Sequence, residues 1–150
     1  MNTPVARTHA EATVTVRHRE SSTFEESAPP ALVELRIEES FSGDIEGEST
    51  VRALQIVRPD QSAQLLTMQR VRGRLGERAG TFVLQGEGVV ERGRIDVSWF
   101  VVPDSGTGEL AGLRGEGGFE GRFGEGSRAT LDYWFSEQRP ETGTRAADPR

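Results

Sequence analysis

A period of two, repeated from one end of the chain to the other, constrains this protein more than any other feature. From Ala10 to Arg19, Ala10, Ala12, Val14, Val16 and His18 share one phase, and Glu11, Thr13, Thr15 and Arg17 share the other. Side chains alternate between two faces in this way along a β-strand. Leu32 to Phe41 repeats the pattern, with Val33, Leu35, Ile37 and Phe41 in phase, and Ser42-Gly43-Asp44 then turns the chain into a strand from Ile45 to Val57. Arg58-Pro59-Asp60 predicts a turn, because proline presets φ for it, and a strand from Ser62 to Leu75 follows. Gly76 to Gly80 leads into a strand from Thr81 to Val90, and Arg92-Gly93 into one from Arg94 to Val102. Arg128 to Ser136 is the last strand, with Leu131, Tyr133 and Phe135 on one face and Trp134 on the other. Short connections between consecutive strands describe an antiparallel meander.

The remaining segments read differently. Glu20 to Ala31 has no period and holds Pro29-Pro30, which predicts a long loop. Nine of the 18 glycines fall between Asp104 and Gly126, a density that marks tight turns, bends or close backbone approach rather than ordinary strand. Within that stretch, Glu109, Leu110 and Leu113 can form one helical turn that Gly115 stops. Residues 1–8 read as a flexible N-terminus, 9–137 as the folded domain, and 138–150, nearly devoid of apolar side chains, as a disordered tail. The fold class is all-β. About eight short strands joined in sequence fit a single antiparallel barrel better than a sandwich, whose crossovers need long connections.

Composition then removes whole classes of chemistry. The 150 residues contain no cysteine and no lysine, so thiol nucleophiles, disulfides, thiolate metal sites, Schiff bases and phosphate-loop lysines are excluded. A formal net charge of −6 disfavours a nucleic-acid partner. No stretch approaches the roughly 20 apolar residues of a membrane-spanning helix, and the first residues carry no apolar leader, so a cytoplasmic protein that does not enter membranes is the expectation.

The block VVPDSGTGELAGLRGEGGFEG, Val101 to Gly121, resembles the signature of a bacterial family of unknown function grouped with the allene oxide cyclase-like β-barrels. FSGDIEGEST (Phe41 to Thr50), QRVRGRLGERAGTFVLQG (Gln69 to Gly86) and TLDYWF (Thr130 to Phe135) carry the same likeness in the same order. The resemblance implies an eight-stranded barrel, often oligomeric, and no established activity. Family members often continue Phe-Val-Leu-Gln with His, whereas this chain has Gly86 at that place, so no role of that histidine carries over.

The side chains left for chemistry are few. His9 and His18 are the only histidines, and neither sits in a pattern that suggests a triad or a metal site. Glu46, Glu48, Glu87 and Asp132 lie on strands, and one of them turned into a barrel could act as a base if burial raised its pKa. Surface solvation accounts for the same residues. Glu48 and Tyr133 are the catalytic candidates, and Gln55, Gln69, Arg70, Gln85 and Trp99 the ligand-binding ones. Each glutamine stands among apolar neighbours, where its amide must pair within the barrel or meet a ligand. Arg70, beside Arg72 in the phase of Leu66 and Met68, is an anion clamp if inward and an oligomer contact if outward. Trp99, Tyr133 and Trp134 suit an aromatic pocket or an aromatic core equally.

Two functions fit. In the first, the barrel binds a small, largely apolar metabolite and, without cofactor or metal, isomerises or cyclises it. In the second, a filled barrel serves as a non-catalytic oligomeric module. Phe100 and Val102 oppose Val97, Trp99 and Val101 on one strand, so both of its faces are apolar and a homo-oligomer is expected to cover the outer one.

Overall fold

The computed structural model of the chain describes residues 6–122 and 126–136. Its strands are β1 (Thr8–Glu25), β2 (Ala31–Gly43), β3 (Ile45–Val57), β4 (Ala63–Leu75), β5 (Arg78–Glu91), β6 (Arg94–Val101), β7 (Leu113–Arg122) and β8 (Ser127–Phe135). Each pairs antiparallel with its neighbours in sequence, and β1 also pairs with β8, so the sheet closes into a barrel in strand order. The alternation of the sequence becomes an inside and an outside. Across β3 to β6, for example, Thr67, Gly86 and Trp99 share one inward level, while Arg52, Met68, Gln85 and Phe100 share one outward level.

The expected loop from Glu20 to Ala31 is mostly strand. β1 runs on to Glu25 and β2 begins at Ala31, with register shifts between Val16 and His18 and between Thr23 and Glu25. A bulge shifts the phase of the side chains beyond it, which erases the period by which the strand is read from sequence. β8 accompanies β1 only from Thr8 to Val14, so the rest of β1 pairs with β2 alone and its side chains are exposed. At the N-terminus, the Arg7 guanidinium lies 4.3 Å from the centroid of the Trp134 ring and 2.6 Å from Glu116, and Thr8 pairs with Tyr133. The tail from 138 to 150 lies outside the described residues.

One end of the barrel is plugged by the β6–β7 connection. β6 ends opposite Leu84, which leaves the β5 backbone from Arg78 to Val83 without a strand on that side. The connection takes the place of that strand. Thr107 N donates to the Thr81 carbonyl at 2.9 Å, Ala79 N to Glu109 Oε1 at 2.9 Å, Val83 N to Ser105 Oγ at 3.0 Å and Val102 N to the Val83 carbonyl at 2.9 Å. Gly80 makes this possible, because the Thr107 carbonyl occupies the place its Cβ would take. The helical turn expected nearby is a single 3₁₀ turn, Gly108–Leu110, and it drives Leu110 into the barrel.

Leu110 packs into the main core with Phe82, Ile45, Leu75, Leu84, Leu113 and Leu131, all essentially inaccessible to solvent. No helix among the described residues is long and apolar enough to cross a membrane, which says nothing about strands. Leu110 is the centre of the plug, so Leu110→Ala is expected to cost about 2–5 kcal/mol through lost burial and the cavity left behind. Urea denaturation followed by circular dichroism measures that loss; a change under about 1 kcal/mol would mean that the plug contributes little.

Candidate ligand site in the barrel lumen

The opposite half of the barrel is not filled. Leu35, Val51 and Ala53 form one apolar cluster, and Ala63, Leu65, Val90 and Val97 form another. The two stay separate because a cavity of about 470 Å³ lies between the walls that carry them. Its lining is mainly apolar, with Leu35, Ile37, Leu65, Val90, Ile95 and Phe119 prominent. Small residues keep it open: Ala53 and Thr67 face inward where larger side chains would fill the space. Gly86 stands one strand from Thr67, and a Cβ there would lie 2.9 Å from both Thr67 Oγ1 and the Ser98 carbonyl.

Polar groups also enter this lining. Glu39 on β2 pairs with Val16 on β1 and Ser49 on β3, faces the lumen, and is only 6% exposed. Its carboxyl has no hydrogen-bond or ionic partner among the described residues. Burial pushes its pKa from the ordinary value up to about 7, since a charged carboxylate is poorly solvated there. Across the ladder, Ser49 Oγ donates to Gln69 Oε1 at 2.7 Å, and both residues are buried. Gln69 lines the same cavity as Glu39, and Gln55, Thr13, Thr15, Thr67, Arg19, Arg122 and Ser127 complete its polar lining.

The sequence candidates divide between the two faces. Gln55 and Gln69 are inward and line the cavity. Trp99 is inward and buried, but it donates from Nε1 to the Thr130 carbonyl at 3.1 Å and packs behind Phe119, which reaches the cavity in its place. Tyr133 belongs to the plugged half, edge-on to Phe135 with centroids 6.2 Å apart, and is not part of the lining. Gln85, Arg70, Arg72, Glu46, Glu48 and Glu87 point outward into solvent, because each lies one residue out of phase with the inward row. Glu48 in fact pairs with Arg17 at 3.3 Å on the outer surface. Asp132 is outward as well, 2.6 Å from His9 Nδ1, while His9 Nε2 meets Glu11 at 2.9 Å and His18 meets Glu20 at 2.8 Å. Both histidines are therefore surface residues held by carboxylates, which raise their pKa.

Glu39 is not among the candidates that the sequence singles out. The signal was present: Leu35, Ile37, Glu39 and Phe41 share one phase, and Glu39 is the one acidic residue in that apolar row. Among the described residues, no three of His, Cys, Asp or Glu come together in a way that could hold a metal ion.

A closed eight-stranded barrel, plugged at one end and hollow at the other, with a lone buried carboxyl in an apolar lumen, defines the class of small β-barrel proteins able to enclose a ligand. Within that class, the chain belongs to the DUF3224 family, described as a protein of unknown function, whose family model matches residues 10–133. It is similar to a crystal structure of a DUF3224 protein of unknown function from Shewanella oneidensis, with a TM-score of 0.76 and 25% identity over 88% of this chain and 99% of that one. No curated protein matches it.

The raised pKa of Glu39 has a consequence for stability. In the unfolded chain the carboxyl ionises near 4.5, whereas in the folded protein it holds its proton to about 7. Between those values the unfolded state loses a proton that the native state keeps, so stability falls as pH rises, by about 3 kcal/mol in total. Glu39→Gln is expected to abolish this loss. Urea unfolding of both proteins from about pH 4 to pH 8 tests it; parallel curves would show that Glu39 ionises normally.

Proposed function

We propose that this protein binds one small, largely apolar molecule in the barrel lumen, and that the reaction the site fits is a cofactor-independent isomerisation or cyclisation. One observation carries the reading: an apolar cavity of about 470 Å³ that holds a buried carboxyl without a partner among the described residues. That volume lies within the range of small-molecule sites. A carboxyl poised near neutral pH suits the transfer of a proton to or from a bound molecule. A barrel that served only as a structural module would gain nothing from a half-empty interior with an unpaired acid in it, since cavity and acid both cost stability. The sequence resemblance to allene oxide cyclase-like barrels supports the same reading at the level of fold.

Thermal unfolding in the presence of a panel of neutral apolar compounds tests the proposal. At least one is expected to raise Tm with saturating concentration dependence. Ala53→Phe, which fills the lumen from its wall, is expected to remove that response while the protein still folds. A wild-type protein indifferent to every compound would speak for the filled or purely structural barrel.

A second observation favours self-association. On the outer face, Leu54 stands opposite Leu66, and Met68 and Phe100 flank the same Gln85, forming an exposed apolar strip across β3 to β6. We propose that a second copy of the chain covers it. Light scattering at micromolar concentration is expected to give a multiple of the 16.4 kDa chain mass, reduced to one chain by Leu66→Glu. A wild-type monomer would refute this.

A further inference from the structure

Two buried lumen groups have hydrogen-bond donors to spare. Gln69, only 4% exposed, accepts the Ser49 hydroxyl on Oε1 at 2.7 Å. With that end of the amide occupied, its two Nε2 hydrogens remain, and no acceptor among the described residues takes them. Glu39 lines the same cavity across from Ser49. A carboxyl kept out of water without a cation holds its proton, and a protonated carboxyl donates an O–H. Buried donors without acceptors are costly in an apolar interior, so a complementary oxygen supplied from outside would relieve both.

We propose that Glu39 and Gln69 form a donor pair for one oxygen of the bound molecule, which makes the ligand an apolar compound carrying a carbonyl within the lumen. This rests on the lumen being a binding site. A hydrocarbon would leave both donors unmet. An amine would require an ionised Glu39 and would place a cation in a lining whose other charged members are Arg19 and Arg122. The charges on the outer side of the wall at Glu39 are of both signs, namely Arg17, Glu38, Glu48 and Arg72. The same two donors would also stabilise negative charge gathering on the carbonyl oxygen, which is the requirement of a proton-transfer isomerisation.

Three probes of nearly equal shape separate the possibilities: 2-acetylnaphthalene, 2-ethylnaphthalene and 1-(2-naphthyl)ethylamine, each measured by equilibrium dialysis against the full chain. The ketone is expected to bind about tenfold more tightly than the ethyl compound at about pH 5.5, the worth of one or two buried hydrogen bonds. Its advantage is expected to shrink to about twofold at about pH 8.5, where Glu39 is ionised and presents no O–H. Glu39→Gln should keep the preference for the ketone and make it independent of pH. Gln69→Leu should weaken the ketone and leave the ethyl compound unchanged. Equal affinity for ketone and ethyl compound, or tightest binding of the amine, would overturn the donor pair while leaving the lumen as a binding site. If none of the three binds, the lumen reading fails and this inference with it.

Discussion

Closure of the ladder between β1 and β8 is the contact on which the interior of this protein depends. It joins Thr8 through Val14 to Tyr133 through Ser127, and the inner face of the seam is built from small residues, with Ala12 opposite Ala129 and Ala10 opposite Leu131. Small side chains let the two strands meet without crowding the core beneath them. The outer face is charged: Glu11 links His9 and Arg128, and His9 also meets Asp132. Exposed pairs of this kind add little energy. Backbone pairing and the buried alanines hold the seam, and once it is shut every inward residue of the other strands is committed to the lumen.

The lumen is then filled unevenly. At the plugged end the sequence supplies Phe82, Ile45, Leu75, Leu84 and Leu131, and the β6–β7 connection adds Leu110. Toward the other end the inward positions carry Ala53, Thr67, Gly86 and Gly88, with the larger Leu65 and Val90 on the walls. The short β6 is central to this arrangement. By ending early it exposes the β5 backbone to the connection, which closes one mouth with the hydrogen bonds that another strand would have made. A barrel of eight strands can be packed solid or can hold a ligand, and this one does the first in one half and leaves room for the second in the other.

Glu39 is where consistency between sequence and fold breaks. Its strand places it in an apolar row, no described residue gives it a partner, and its desolvation works against stability at neutral pH. Departures of that kind concentrate at functional sites, where the cost is offset by binding or chemistry. Beside it, Ser49 orients Gln69, so the polar part of the lumen is organised even though it is small. Gly86 faces inward beside Thr67 and Trp99 and adds no side chain to the lumen.

Much of the architecture was legible in the amino-acid sequence, because period-two alternation and turn residues are local properties of a strand. Seven of the eight strands, their order and the helical turn near Leu110 follow from those alone, whereas β7 lies in the glycine-rich segment that reads as turns and bends. The long β1–β2 ribbon was not legible, since bulges at Val16/His18 and Thr23/Glu25 break the phase. Nor could alternation say which of the two faces is inside, which is why Glu48, Arg70 and Gln85 read as candidates and lie on the outer surface. Sequence thus determined that the chain makes a closed meander of antiparallel strands with neither a cysteine nor a lysine nucleophile. Only the tertiary structure decided that half the lumen stays empty and that Glu39 lies alone within it, because packing and burial depend on residues from strands far apart in the chain that closure brings together.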